Sequence, residues 1–265
     1  MPIYPLLSPL DPSSDLRDPA SRRRYVSAVF ETVAPSYDRF TRWFSFGMDA
    51  RWKRQLARWA VDALRPGDVV VDLACGSGDV GRAVGRLSGW AVGVVGVDAS
   101  RPMLGLATRF GAGTGTTRPT AQPPNRLIRA DMLALPLRDG VAGAATVGYG
   151  FRNTSDVRRA LAEAARVLRP GGWLFDLDFF QPESRAWRRV FHRYLWTAGR
   201  AAGRWWHGDP EAYGYIARSL EHWCTAAEFA GMLREAGFVV ERVDRRLGGG
   251  IALHAARRLG GWAVG

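Results

Sequence analysis

The run Val69-Val70-Val71-Asp72-Leu73-Ala74-Cys75-Gly76-Ser77-Gly78-Asp79 constrains the fold of this chain more than any other segment. A short β-branched stretch passes directly into a glycine-punctuated turn, and a helical pattern follows, so the segment reads as strand, turn and helix. A strand this continuously apolar must be covered on both faces, which calls for helices on either side of a parallel sheet. Glycine at 76 and 78 frees the turn from side chains and lets its main chain approach a ligand. Gly76, Gly78 and Gly81 also fit the dinucleotide pattern GxGxxG, so a nicotinamide-dependent oxidoreductase is a rival reading, although that pattern alone is weak.

The rest of the chain repeats this rhythm. Strand-like runs at Val92 to Val97, Arg126 to Arg129, Ala144 to Tyr149 and Trp173 to Phe180 alternate with helical ones: after Asp79, from Ser100, and from Ser155 to Leu168. Arg169-Pro170-Gly171-Gly172 stops the last of these helices. Two helices, Ser21 to Val33 and Asp38 to Leu64, precede the sheet. A long basic and aromatic helix from Glu183 to about Trp206 and another from Ala226 to Ala236 follow it. Phe238 to Val243 and Ile251 to Ala255 close the chain as an antiparallel hairpin. The expected architecture is a doubly wound, mostly parallel α/β sheet. Residues 1–20, with five prolines, read as a disordered tail, and Gly111 to Asn125 as a surface loop. A single domain then spans 21–258, with N-terminal lid helices over 21–64 and a helical insertion over 183–224.

Three acids mark the carboxyl edge of that sheet, where open α/β folds bind ligands. Asp72, four residues before Gly76, can receive an ammonium group. Asp98, ending the next strand about twenty positions later, can accept from ribose hydroxyls. Asp131, just after the third strand, can accept from an exocyclic adenine amine or serve as an ordinary cap. Asp72 and Asp79 place negative charge where a pyrophosphate would sit, which weighs against a dinucleotide.

Composition excludes several classes. The longest apolar runs fall far short of a bilayer span, and the first twenty residues lack a signal-peptide pattern. Cys75 and Cys224 stand alone, which suggests neither a disulfide framework nor a metal site and fits a reducing cytoplasm. The net charge of +12 would suit nucleic acid or an anionic membrane, but Lys53 is the only lysine, and an arginine-rich codon bias produces the same excess everywhere. No nucleic-acid partner is expected, because the chain lacks a recognisable binding module, an Asn/Asp-Pro-Pro-aromatic motif and a cysteine pair suited to base adducts.

The residues resemble class I methyltransferases and, more narrowly, the quinone-biosynthesis C-methyltransferases that act on demethylmenaquinone, demethylphylloquinone or a polyprenyl benzoquinol. The resemblance spans roughly Tyr25 to Arg257. It rests on Val33-Ala34-Pro35-Ser36-Tyr37-Asp38, on Asp72 to Asp79, on Val147-Gly148-Tyr149-Gly150-Phe151-Arg152-Asn153 and on Arg166-Val167-Leu168-Arg169-Pro170-Gly171-Gly172. Tyr213-x-Tyr215-Ile216 with Ser219 and Gly249-Gly250-Ile251-Ala252-Leu253-His254 extend it. The resemblance implies a seven-stranded Rossmann-like sheet, S-adenosyl-L-methionine as methyl donor and a prenylated quinol as acceptor. Asp72, Gly76, Ser77, Gly78, Asp98, Ala99, Asp131, Met132 and Gly148 would line the donor site, and Tyr37 would help close a lid. There are two departures: Asp139 to Ala144 lacks the family's usual Phe-Asp pair, and Ala74 stands where many methyltransferases have glycine, which is tolerable if its φ stays negative.

Carbon methylation needs an electron-rich ring carbon, and a reduced quinol supplies one once a hydroxyl loses its proton. Phenols ionise near pH ~10, so the site must favour the phenolate. Arg152 is the candidate for that charge and Asn153 for ring orientation. His192, His207, His222 and His254 are conceivable bases without a distinctive setting. Trp187, Val190, Phe191, Tyr194, Leu195 and Ala198 form one face of the long helix, with arginines around the rest. That face could rest on anionic lipid at the inner side of a membrane or pack as a lid on the core, and a homodimer is compatible with either. A methyltransferase of another small phenol or lipid is the alternative function.

Overall fold

The computed structural model describes residues 18–107 and 126–260. The proline-rich segment 1–17 and the Gly111 to Asn125 loop therefore lie outside the described residues. Seven strands form one sheet: β1 (Val69–Leu73), β2 (Gly93–Asp98), β3 (Arg126–Arg129), β4 (Ala142–Gly148), β5 (Leu168–Phe179), β6 (Phe238–Arg246) and β7 (Ile251–Arg258), in the spatial order β3-β2-β1-β4-β5-β7-β6. The first five strands run parallel, and β7 enters antiparallel between β5 and β6. Strand order reverses between β1 and β4, and their carboxyl ends diverge there into the crevice such folds use for ligands. Asp72 and Thr146 are register partners across that line.

The segment before the sheet is more broken than its periodicity predicts. It holds α1 (Pro19–Val33), α2 (Tyr37–Phe44) and α3 (Met48–Asp62), joined by a 3-10 turn at Ala34–Ser36. The expected Asp38 to Leu64 helix is split at Phe46 and Gly47, both at positive φ (51° and 76°), a backbone that ends an α-helix. α1 also begins two residues before Ser21, since the Asp18 carboxylate caps it by accepting from the Ser21 N–H at 2.8 Å. α4 (Asp79–Leu87), α5 (Arg101–Ala107) and α6 (Val157–Val167) follow β1, β2 and β4. The Arg169-Pro170-Gly171-Gly172 stretch is the irregular start of β5, where the register against β4 shifts, so the strand begins earlier than Trp173.

Beyond β5 come α7 (Arg185–His207), α8 (Glu211–Glu221) and α9 (Ala226–Glu235). α8 lies inside the segment read only as an insertion. A glycine of α7 permits the close packing of the two helices: a Cβ at Gly199 would come within 2.8 Å of the Tyr213 carbonyl oxygen of α8. Phe191 and Leu195 of α7 are buried in a cluster with Tyr25, Val29, Phe40, Tyr213 and Leu220. The centre of the apolar face that could have met lipid is thus spent inside the protein, while Trp187 and Val190 at its start stay exposed. Two further clusters cover the two faces of the sheet, one around Phe151, Leu161 and Phe229, the other around Leu56, Val84 and Phe175.

Candidate active site

Two cavities meet at the carboxyl edge of the sheet. The larger, about 280 Å³, is lined by Asp72, Gly76, Ser77, Asp98, Ala99, Asp131, Met132, Gly148, Tyr37 and Asn153. The structure thus brings together nearly every residue singled out for a donor site. Gly78 does not line it; at φ 81° it occupies the N-cap position of α4, and its role is to turn the chain into that helix. Ala74 stands at φ 51°, so the expectation of a negative φ fails: an alanine is held in the left-handed region directly after β1.

Each acid has an anchor. Buried Asp72 accepts from the Gly81 N–H at 3.0 Å and the Thr146 hydroxyl at 2.7 Å, which ties β1 to α4 and β4. Burial nevertheless raises its carboxyl to about 7. Asp98 accepts from the backbone N–H groups of Gly76 and Ser100, both at 2.8 Å, while burial pushes its carboxyl up. Asp131 accepts from the Leu133 N–H at 2.9 Å, capping a turn as well as facing the cavity, and pairs with Arg23 at 3.3 Å. Burial also pushes the Asp79 carboxyl up, but Lys53 at 3.2 Å and the Arg82 guanidinium outweigh it and hold it below the usual range. The repulsion of pyrophosphate assigned to Asp79 therefore loses its force, because two cations already neutralise that carboxylate.

The second cavity, narrower at about 60 Å³, is rich in aromatic side chains, with Arg152 in its wall. Phe30, Tyr37, Tyr149 and Asn153 line both cavities. Arg152 is 3% exposed, which disposes of a surface role. Its Nε lies 3.4 Å from Asp178 Oδ1, its backbone N–H donates to Asp178 Oδ2 at 3.0 Å, and its Nη1 donates to the Ser219 hydroxyl. The guanidinium carbon lies 5.4 Å from the centre of the Phe179 ring and 5.9 Å from that of Tyr215. The Asn153 amide donates to the Tyr149 carbonyl at 2.7 Å and accepts from the Tyr215 hydroxyl at 2.9 Å, so it braces the junction between the cavities.

No histidine lines either cavity. His254 is buried within the sheet between the Ala226 carbonyl at 3.1 Å and Asp176 at 3.3 Å, and burial lowers it to about 4. His207 shares hydrogen bonds with Ser36 at 2.7 Å and Tyr213 at 3.2 Å. Three residues of the site escaped sequence reasoning, Asp49, Lys53 and Asp178, and Tyr149 was noted only as part of a motif. Tyr149, at φ 63°, donates its hydroxyl to Asp49 at 2.8 Å, and Asp49 pairs with Lys53 at 2.9 Å. Two signals pointed to them: the acid and base four apart in Asp49 and Lys53, and the charged Asp176 and Asp178 inside the apolar β5.

The chain is 35% identical over 230 residues to the demethylmenaquinone methyltransferase of Thermus thermophilus, covering 87% of this chain and all of that one. It is 34% identical over 215 residues to the 2-phytyl-1,4-naphtoquinone methyltransferase of Nostoc punctiforme, covering 81% of this chain and 90% of the relative. Among solved structures, a SAM dependent methyltransferase from Aquifex aeolicus superposes with a TM-score of 0.50 at 19% identity over 74% of this chain and 85% of that one, a likeness of fold alone. The model of the ubiE/COQ5 methyltransferase family matches residues 19–258, and with the crevice between β1 and β4 built as described, the chain belongs to that family.

Proposed function

We propose that this protein transfers a methyl group from S-adenosyl-L-methionine to a ring carbon of a prenylated quinol, demethylmenaquinol or a close relative of it. The observation that carries the reading is the junction of two cavities of opposite character, one acidic and one aromatic, at Tyr37, Tyr149 and Asn153. The acidic cavity fits the donor residue by residue. Asp72 suits an ammonium, Asp98 a pair of ribose hydroxyls and Asp131 an exocyclic amine, while Gly148 keeps the space beside β4 open. When bound, the donor supplies an electrophilic sulfonium methyl.

The aromatic cavity suits a flat ring followed by an apolar chain. Arg152 stabilises the ring oxygen as phenolate, because a fixed cation in a site sheltered from water favours the charged form. A guanidinium has five N–H donors; Ser219 takes one from Nη1, and Nε faces Asp178 at 3.4 Å as an ion pair without a hydrogen bond, which leaves those of Nη2 for the ring oxygen or for a water that accepts its proton. Asn153 positions Tyr149 and Tyr215 around the ring, and Tyr37 closes the cavity from the lid side. The prenyl tail makes contact with an anionic membrane surface part of this reading. In its support, Trp43 is 53% and Phe46 79% exposed, beside the Phe44 and Ser45 that line the aromatic cavity.

Arg152→Ala tests the chemistry. With a short-chain demethylmenaquinol, turnover should fall by about 10²–10³-fold, as on loss of a charge-stabilising donor, while affinity for S-adenosylhomocysteine is retained. Unchanged turnover removes Arg152 from the mechanism. Restoration of methylated quinone, one methyl heavier, in cells lacking their own enzyme for this step tests the substrate class.

A further inference from the structure

Lys53 is an unexpected resident of the donor cavity. The side chain is 9% exposed, and it lies in the cavity wall with Asp72, Ser77 and Tyr37. Burying an ammonium is costly unless it is paired, and here Asp49 at 2.9 Å and Asp79 at 3.2 Å pair it. An ammonium has three N–H donors, so these two contacts leave one for a further acceptor. Asp49 is itself held by the Tyr149 hydroxyl, and Asp79 by Arg82, so the pair keeps Lys53 in place rather than consuming it.

The other cation of the cavity wall, Arg23, has a side chain that is 64% exposed and already pairs with Asp131 at the opposite end. The cavity therefore has a polarity: acids along its length, and a buried positive charge only beside Asp72 and Ser77. Lys53 is close enough to Asp72 to pull its carboxyl down against burial. An α-amino acid carries its ammonium and carboxylate on one carbon, so an acceptor for the first and a donor for the second must stand side by side. Asp72 and Lys53, both in the wall of this cavity, supply that acceptor and that donor.

We infer that Lys53 is the receptor for the carboxylate at the amino-acid end of the donor, and that it selects ligands carrying that group over the bare nucleoside. The inference rests on the donor site proposed above. In the complex, one Lys53 N–H turns to the ligand carboxylate, Asp49 continues to hold the ammonium from below, and Arg82 retains Asp79.

Calorimetry with four ligands tests this. The unmodified protein should bind S-adenosylmethionine about thirtyfold more tightly than its decarboxylated analogue, the loss expected when one partner of a desolvated charge pair is removed; equal affinities overturn the proposal without recourse to any variant. Lys53→Met should weaken S-adenosylhomocysteine by a similar factor and leave 5′-methylthioadenosine, which lacks the amino-acid end, within about threefold, with Lys53→Arg intermediate. A variant that binds S-adenosylhomocysteine like the parent, or that loses both ligands in parallel, shows Lys53 to be structural and defeats the assignment. If the unmodified protein binds none of the four, the donor site itself is wrong and this inference falls with it.

Discussion

Asp72 carries the clearest pH signature at the residue scale. Its carboxyl is raised from 3.8 to about 7 by burial. A carboxyl whose folded pKa lies above its unfolded one stabilises the fold in acid. That contribution is complete below the unfolded value and is lost progressively as pH rises from about 4 to 7. The ligand should show the opposite slope, since an ammonium is best received by the carboxylate. Affinity for S-adenosylhomocysteine should therefore increase from pH 6 to 8 with uptake accompanied by release of a proton, measurable by calorimetry in buffers of differing ionisation enthalpy. Asp72→Asn should abolish the proton release, and a pH-independent affinity in the parent protein would contradict the ammonium role. Asp72 was legible in the sequence as an acid on a strand tip; the raised pKa was not, because it arises from burial in the assembled core, which outweighs the hydrogen bonds from Thr146 and Gly81 that lower it. Ala74 shows the same limit. The glycine that many methyltransferases have at this position was the one hint; the alanine's own neighbours do not show that the turn forces φ to 51°, a cost of about 1–2 kcal/mol for a residue with a Cβ.

At the scale of elements, the lid forms a core of its own. α1, α2, α7 and α8 bury Phe40, Phe44, Leu195 and Tyr213 together, apart from the clusters on the sheet. Phe40 lies at its centre, stacked on Tyr213 with ring centres 3.5 Å apart and edge-on to Trp206 at 6.1 Å. Phe40→Ala should cost this cluster about 3 kcal/mol or more, the usual penalty for emptying an aromatic site. The damage should stay local: amide exchange over residues 19–44 should accelerate about a hundredfold while β1 and β4 keep their protection. Equal acceleration throughout would mean that lid and sheet unfold as one unit. Period-3.6 patterning found α1 and α7 but joined α2 to α3, because the Phe46 and Gly47 break leaves the apolar spacing on either side undisturbed.

For the whole molecule the question is where it meets lipid. No helix among the described residues is long and apolar enough to cross a membrane. Exposed aromatic groups stand at the end of α2, with Trp43 of its last turn against Trp206 at 5.6 Å and Phe46 just beyond it against Tyr194 at 6.5 Å, and Trp187, Trp196 and Trp205 of α7 are exposed as well. Exposed Arg39, Arg42, Arg189 and Arg193 belong to the two helices that meet there. The protein should float with anionic vesicles, less so at high salt, and Trp43→Ser with Phe46→Ser should abolish flotation; an unmodified protein that stays at the bottom of the gradient rules this surface out. The sequence by itself determined the alternation of strands and helices, the glycine turn and the three acids, because each depends on spacing within a few residues. Only the tertiary structure decided that Arg152 would be buried against Asp178, that Lys53 would be buried between Asp49 and Asp79 in the cavity wall, and that Phe191 and Leu195 of α7 would pack inside. Those outcomes join residues distant in sequence, and the competition between burying a charge and pairing it is settled only when the elements pack.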